Sequence, residues 1–390
     1  MVKVERARGD QVDAIAQVAD DVMRPWRVPG GGMAARFPHL FAPGNAENLY
    51  FVADDQGRPV SLAAVMRRDV VVEGARLSSA SLGAVSTLSE HRGQGHASAI
   101  VNRVIADLEK DRVSLLFVSG RRDLYARAGL VEAGNLLEAF WDPLVPGGDR
   151  GDRGDRGDRG DEREDRGGHL EALGPDFQVV PVTYGTSTTP ELLSLYGHEP
   201  VRFHRSVAYM AAHLPALNFP RRDFRHRVFS YLEEGEVRAY GITAESPNEP
   251  TVLGVMEWAG SRVGVIRILK QACQLLGRPK ARLWMQPLDA TMRTLVLATG
   301  GRLRPEPNLG TIRLIHVQAF LRQSAAWREE RGIALRVSKR GAAFRIRRRR
   351  DGVDDVWTVK GVGALTKWCF GPAPEGLGMP LPYAGDLNYV

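Results

Sequence analysis

Residues 83–101, GAVSTLSEHRGQGHASAIV, carry the residue types and spacing that point most directly to chemistry. An apolar run ends at Thr87, a turn holds Gly93 and Gly95, and a helix-forming run starts directly afterwards. Glycines let successive backbone N–H groups turn toward one point without an obstructing Cβ. The start of a helix adds unpaired N–H groups and partial positive charge. Together they make a cradle for an anion of pyrophosphate size. The spacing is not the G-x-G-x-x-G of a dinucleotide site, and it lacks the Lys and Ser/Thr of a nucleotide-triphosphate P-loop, so NAD and ATP are disfavoured.

Arg92-Gly93-Gln94-Gly95-His96-Ala97 matches the R/Q-x-x-G-x-G/A loop of the GNAT superfamily of acyl-CoA N-acetyltransferases, and Val85 stands at that family's usual offset. The stretch Leu124-Tyr125-Ala126-Arg127-Ala128-Gly129-Leu130 resembles the family's later Y-x-x-x-G-F element, with Leu130 in place of the Phe. The similarity spans roughly residues 1–145. It implies acetyl-CoA as co-substrate, direct attack by a primary amine of an aminoglycoside-like molecule, a small metabolite or a lysine, and two parallel strands that part near residues 85–87 and 118–120. The pantetheine arm would then lie along Val85, Ser86 and Thr87 and against Ser119 and Gly120, with the pyrophosphate on Arg92, Gly93, Gln94, Gly95, His96 and Ala97. Tyr125 would donate a proton to the departing thiolate, since a phenol of ordinary pKa about 10 is protonated at neutral pH.

Length and layout resemble the multidomain enhanced intracellular survival acetyltransferases, which join an active domain, an inactive second copy and a C-terminal domain like a sterol carrier. In that group the terminal carboxylate serves as base, which implies a catalytic place for Val390 beside Tyr125. Trp26, Phe37, His39 and Phe41 fall where such enzymes build the acceptor pocket, and packing explains them equally well. His91 and His96 flank the glycine loop.

The elements that must position these groups follow from periodicity. Helices are predicted over 10–23, 98–108 and 123–128, and strands over 49–54, 60–68, 80–87, 113–119 and 131–141. Ile100, Val101, Val104, Ile105 and Leu108 give the middle helix one apolar face. The fold class is α/β (α+β): a mixed, mostly antiparallel sheet with central parallel strands that splay. The order recurs as strand 251–258, helix 263–276, strand 281–286, helix 290–299 and strand 311–317, read as a diverged copy. Its turn, Glu257 to Gly264, lacks the Arg-x-x-Gly-x-Ala pattern, so no cofactor is expected there. The domains predicted are 1–145, a flexible Gly-Asp-Arg linker 146–168, 169–318 and a small domain 319–390, the last with a helix over 319–331 and strands over 334–337, 343–348 and 356–362.

Composition excludes several classes. With 43% apolar and 25% charged residues the chain is an ordinary globular protein. No apolar stretch approaches the roughly 18 residues of a membrane span, and no leader precedes the first charges, so a soluble cytoplasmic protein without a membrane partner is expected. Two cysteines, Cys273 and Cys369, read as core fillers, and no histidine pair has zinc spacing. The net charge of +7 is scattered, the linker contributing −2. Its one cluster, Arg345 and 347–350, alternates with Phe344 and Ile346 as on an exposed sheet edge, so no nucleic-acid partner is expected. Related multidomain members assemble as homo-oligomers. The competing reading is a scaffold of the same fold that senses CoA or binds lipid without catalysis.

Overall fold

The computed structural model describes residues 2–23, 32–143, 177–181, 189–217 and 225–385. The linker 146–168 lies outside them. The chain divides into two compact units, one made of Met1–Leu136, Glu199–Pro220 and Glu306–Val390, the other of Leu137–His198 and Arg221–Pro305.

The sheet of the first unit contains β1 (Glu5–Arg6), β2 (Leu49–Ala53), β3 (Pro59–Val72), β4 (Ala75–Thr87) and β5 (Leu115–Val118). It runs in the order β1-β2-β3-β4-β5-β14, where β14 is Thr311–Leu314, and β8 (Val201–Phe203) pairs with β3. Glu73 and Gly74, both at positive φ, close the long β3–β4 hairpin as a two-residue turn. One pair of this sheet is parallel, from Ser79 opposite Leu115 to Leu82 opposite Val118. Between these two strands lies α3 (His96–Lys110), whose Ile100, Val101, Val104, Ile105 and Leu108 are buried as their spacing predicts. On the opposite face α1 (Val12–Met23) and α2 (Met33–Arg36) share a core with Leu62, Ala64 and Ala84. Two further helices of this unit are α4 (Asp123–Arg127) and α6 (Val207–Ala216).

The predicted strand 131–141 is interrupted. Val131 bridges Ile312 in the first unit, whereas β6 (Leu136–Trp141) pairs antiparallel with β12 (Lys280–Met285) of the second. Gly134, at φ 104°, makes the break, and a Cβ there would stand 2.8 Å from Cβ of Asn308. In the other direction β14 pairs with β5, Thr311 opposite Val118. The first sheet therefore takes β8 and β14, and the second β6, from the part of the sequence whose other elements build its counterpart.

The second sheet adds β7 (Phe177–Pro181), β9 (Arg225–Glu233), β10 (Glu236–Glu245), β11 (Val252–Gly260) and β13 (Arg302–Glu306), in the order β13-β6-β12-β11-β10-β9-β7. Besides α5 (Thr189–Gly197) it carries α7 (Arg262–Leu275) and α8 (Ala290–Ala298). The succession β11, α7, β12, α8 repeats β4, α3, β5, α4, including a parallel pairing from Val252 with Lys280 to Val255 with Leu283. Burial in this unit pushes the Cys273 thiol up to about 12, as expected of a core filler.

Residues 317–385 add α9 (Val317–Gln323), α10 (Ala325–Glu329), a meander of β15 (Ile333–Arg340), β16 (Ala343–Arg350) and β17 (Val353–Lys360), and α11 (Gly361–Phe370) to the first unit. The expected single helix 319–331 is two, parted at Ser324, whose hydroxyl donates to the Phe320 carbonyl at 2.7 Å. The arginine run is not on a sheet edge: β16 is the middle strand, and Arg348 and Arg349 meet Asp355 and Asp354 across it at 2.9 and 2.6 Å. Phe344 and Ile346 face the core between them, so the alternation itself is as predicted.

Candidate active site

Past Leu82 and Val118 the parallel strands no longer pair, although β4 continues to Thr87. On its other side β4 stays bonded to β3, with Ser86 opposite Leu62 and Thr87 opposite Ser61. A bulge lies just before this point. Ala64 faces Gly83 while Leu62 faces Ser86, which leaves Ala84 and Val85 opposite a single residue. Ala84 has φ 52°, the left-handed region that a residue with a Cβ rarely enters. Val85 in the bulge and Ser86 and Thr87 beyond it lie on the stretch of β4 that has no β5 partner, beside the cleft between the parting strands.

The glycine loop follows β4 in the chain and leads into α3. Gly93 and Gly95 stand at φ 78° and 82°, and a Cβ on either would meet nothing within 4 Å. Gly95 is the N-cap of α3 and offers no side-chain acceptor. The first intrahelical bond runs from Ala99 N–H to the Gly95 carbonyl, so the N–H groups of His96, Ala97 and Ser98 precede the ladder. Arg92 donates from Nε to the Thr87 carbonyl at 3.2 Å, which ties loop to strand, and Gln94 caps the Glu90 carbonyl at 3.4 Å. His96 keeps Nδ1 buried without a hydrogen-bond partner among the described residues, while His91 lies 6.3 Å away ring to ring.

After β5 come Ser119 and Gly120, and Tyr125 of α4 packs on Gly120 so closely that a Cβ there would fall 2.6 Å from its ring. Tyr125 is buried in one core with Val85, Val118 and Ile100. Thus Val85, Ser86 and Thr87 end β4, Arg92 ties the loop 92–97 back to Thr87, and Ser119 and Gly120 follow β5 with Tyr125 packed on Gly120. Val390 lies outside the described residues, as does Trp26. The segment leading toward Val390 is held by Asn308, fully buried, which donates to the Pro382 carbonyl at 2.7 Å and accepts from Ala384 N–H at 3.0 Å. Two residues on, Gly310 lies against the Val118 carbonyl and Ser119, where a Cβ would come within 2.0 Å of the carbonyl oxygen.

The equivalent place in the second unit is built differently. Trp258 donates its indole N–H to the Trp284 carbonyl at 3.1 Å, bridging β11 and β12 where they would part. Ser261 caps α7 by accepting from Gly264 N–H, and Arg262 pairs with Asp289 at 2.9 Å while lying over Trp258. Its glycines serve packing: a Cβ at Gly260 would strike the Arg238 carbonyl, and one at Gly264 the Tyr231 ring.

Sequence spacing gave no sign of a buried basic cluster beside the first cleft. Arg68 of β3 donates to Tyr209 Oη at 2.9 Å and to Ser81 Oγ at 3.2 Å, with its guanidinium over the Phe203 ring. Tyr209 stacks on His213 at 4.0 Å, and His39 lies 3.9 Å from His213. Burial, then His213 and Arg68, hold His39 well below the usual imidazole range, so it is neutral. These residues come from segments about 140 positions apart, and local periodicity carries no information on such a meeting.

Among the described residues no group of His, Cys, Asp and Glu is arranged to hold a metal, and no helix is long and apolar enough to cross a membrane. The family model described as an acetyltransferase (GNAT) domain matches residues 3–130. No curated protein matches the sequence. Among solved structures, a GCN5-related N-acetyltransferase from Anabaena variabilis is similar at 14% identity with a TM-score of 0.61, over 99% of this chain and 98% of that one. Eis1 from Mycobacterium abscessus is similar at 14% identity and TM-score 0.61, over 96% and 90%. A GCN5-related N-acetyltransferase from Kribbella flavida gives 14% and 0.58, over 94% and 89%. Residues 3–130 therefore match the GNAT acetyltransferase domain, and nearly the whole chain shares its fold with these solved structures.

Proposed function

We propose that the chain transfers an acetyl group from acetyl-CoA to a primary amine of a small molecule or of a lysine, by direct attack, at one site in the first unit. The observation that carries this reading is the parting of β4 and β5 beyond Leu82 and Val118, with β4 leading through the glycine loop into a helix start whose glycine cap offers no side-chain acceptor. Open space where a Cβ would stand at Gly93 and Gly95 fits a bulky anion there.

Bound acetyl-CoA supplies an acyl thioester. Main-chain N–H groups from Gly93 to Ser98 would hold its pyrophosphate, with Arg92 adding a positive charge beside it. The edge of Val85, Ser86 and Thr87 would bond the pantetheine amides, and Ser119 and Gly120 would flank the sulfur. Tyr125 would give its phenolic proton to the thiolate. Val390 would accept the proton of the attacking amine through its carboxylate. The second unit takes no cofactor in this reading, because Trp258, Ser261 and the Arg262–Asp289 pair occupy the equivalent groups.

Titration calorimetry tests the binding half: one acetyl-CoA per chain is expected, and two would defeat the assignment of an empty second unit. Thiol release over an amine panel tests the chemistry. Tyr125→Phe is expected to lower kcat by about 10²-fold or more while leaving acetyl-CoA affinity within a factor of about two. Binding without turnover of any amine would favour the CoA-sensing scaffold, and no binding at all would end both readings.

A further inference from the structure

Along the outer edge of β3, pairing with β2 stops at Ala64 and pairing with β8 begins at Val70. A cavity of about 430 Å³ opens beside this gap. Among the described residues its lining includes Arg67, Arg68, Arg76 and Arg205, against one carboxylate, Asp69, which Arg76 engages. Arg67 reaches out to Asp111 at 2.6 Å. Arg68 and Arg205 are the buried pair, 8% and 6% exposed. Arg68 is held by Tyr209, Ser81 and the Phe203 ring, and Arg205 directs Nη1 at the Met210 sulfur, 3.4 Å away. The helix α6 begins at Ser206 on the same wall and turns its partial positive end toward it. Guanidinium groups withdrawn from water and gathered on one wall favour an anion there and oppose an ammonium.

The wall shares β4 with the parting strands, since Ser78 and Ser79 line the cavity. Arg68 faces Ser79 across the β3–β4 pair and reaches Ser81, and Ser79, Ser81 and Gly83 alternate onto one face of β4. Gly83 is where the parallel strands begin to part. Two residues along a strand are about 7 Å and four about 13 Å. We infer that this cavity binds an anionic group carried by the acceptor itself, so that the amine acetylated by this chain bears a carboxylate or an equivalent anion about 7 to 13 Å from its nitrogen. The inference rests on the acetyl-transfer reading for its amine, and on the cavity alone for its anion.

Three amines of matched length test it: 6-aminohexanoate, 6-aminohexanamide and 1,6-diaminohexane. Wild type is expected to acetylate the carboxylate with kcat/KM at least about 10-fold above the diamine, with the neutral amide between, the scale of one charge-assisted contact. Arg205→Gln should erase the preference through KM, Arg205→Lys should restore part of it, and acetyl-CoA affinity should be unchanged in both. A folded wild type that turns over the diamine as well as or better than the carboxylate overturns the inference. Calorimetry with 6-aminohexanoate alone separates the two readings. If acetyl-CoA does not bind yet 6-aminohexanoate binds wild type and not Arg205→Gln, the acetyl-transfer reading fails and the anion site stands. If 6-aminohexanoate binds both forms equally, the anion site fails.

Discussion

Gly93 and Gly95 hold backbone angles that cost a residue with a Cβ about 1 to 2 kcal/mol, and neither has a neighbour that a methyl group would strike. Gly95→Ala is therefore expected to lose about 1 kcal/mol of stability by urea titration, from conformation alone, and to weaken acetyl-CoA binding about 10-fold as the loop relaxes. An unchanged affinity would remove the loop from the site. His39 makes a second prediction. Unfolded, it titrates near 6.5, while folded, its burial with His213 and Arg68 beside it holds it well below that value. Between those two pH values the unfolded chain binds a proton that the folded chain does not, so stability falls as pH drops below about 6.5, by at most about 1.4 kcal/mol per unit, until the folded imidazole itself titrates. His39→Phe should flatten the fall in urea midpoint between pH 7.5 and 5, and an unaltered slope would exclude His39 as its source. At this scale the sequence was most readable where function lies in one short stretch. Loop and tyrosine each sit in a contiguous motif, whereas Arg68, Tyr209 and His39 meet through folding, and His39 had no spacing to set it apart from a packing residue.

Among the elements, α3 was readable because a single apolar stripe and a two-glycine start both mark it. The helix α11 was not, since GVGALTKWCF carries two glycines and two β-branched residues that lower helix propensity; burial of Leu365, Trp368 and Phe370 holds it instead. The strand 131–141 looked continuous because Gly134 alone marks its break. Ser261→Ala in α7 should cost about 1 kcal/mol, as N-cap deletions do, with no effect on acetyl-CoA affinity. Gly310→Ala should cost well over about 2 kcal/mol, because a Cβ 2.0 Å from the Val118 carbonyl forces β14 away from β5. Denaturant titration of both variants separates a cap from a close backbone approach. A small loss at Gly310 would mean that β14 is free to shift.

For the molecule as a whole, sequence order and spatial order part company. The tandem succession of strand and helix is visible in hydrophobic pattern, yet no local pattern says that Thr311–Leu314 completes the sheet begun at Glu5. A chain ending at residue 143 would leave β5 as an uncovered edge and Leu136–Trp141 without β12, so it is expected to be insoluble or to aggregate on purification. A soluble, cooperatively melting fragment would contradict that.

The same exchange makes the peptide bond between the halves dispensable. A cut engineered within 146–168 yields two polypeptides, neither of which owns a complete seven-stranded sheet, since β5 needs β14 from the later fragment and β12 needs β6 from the earlier one. Coexpressed, the two pieces are expected to copurify and regain acetyl-CoA binding. Association of the fragments, rather than the tether, would then set assembly, which suits the chain to use as a split reporter.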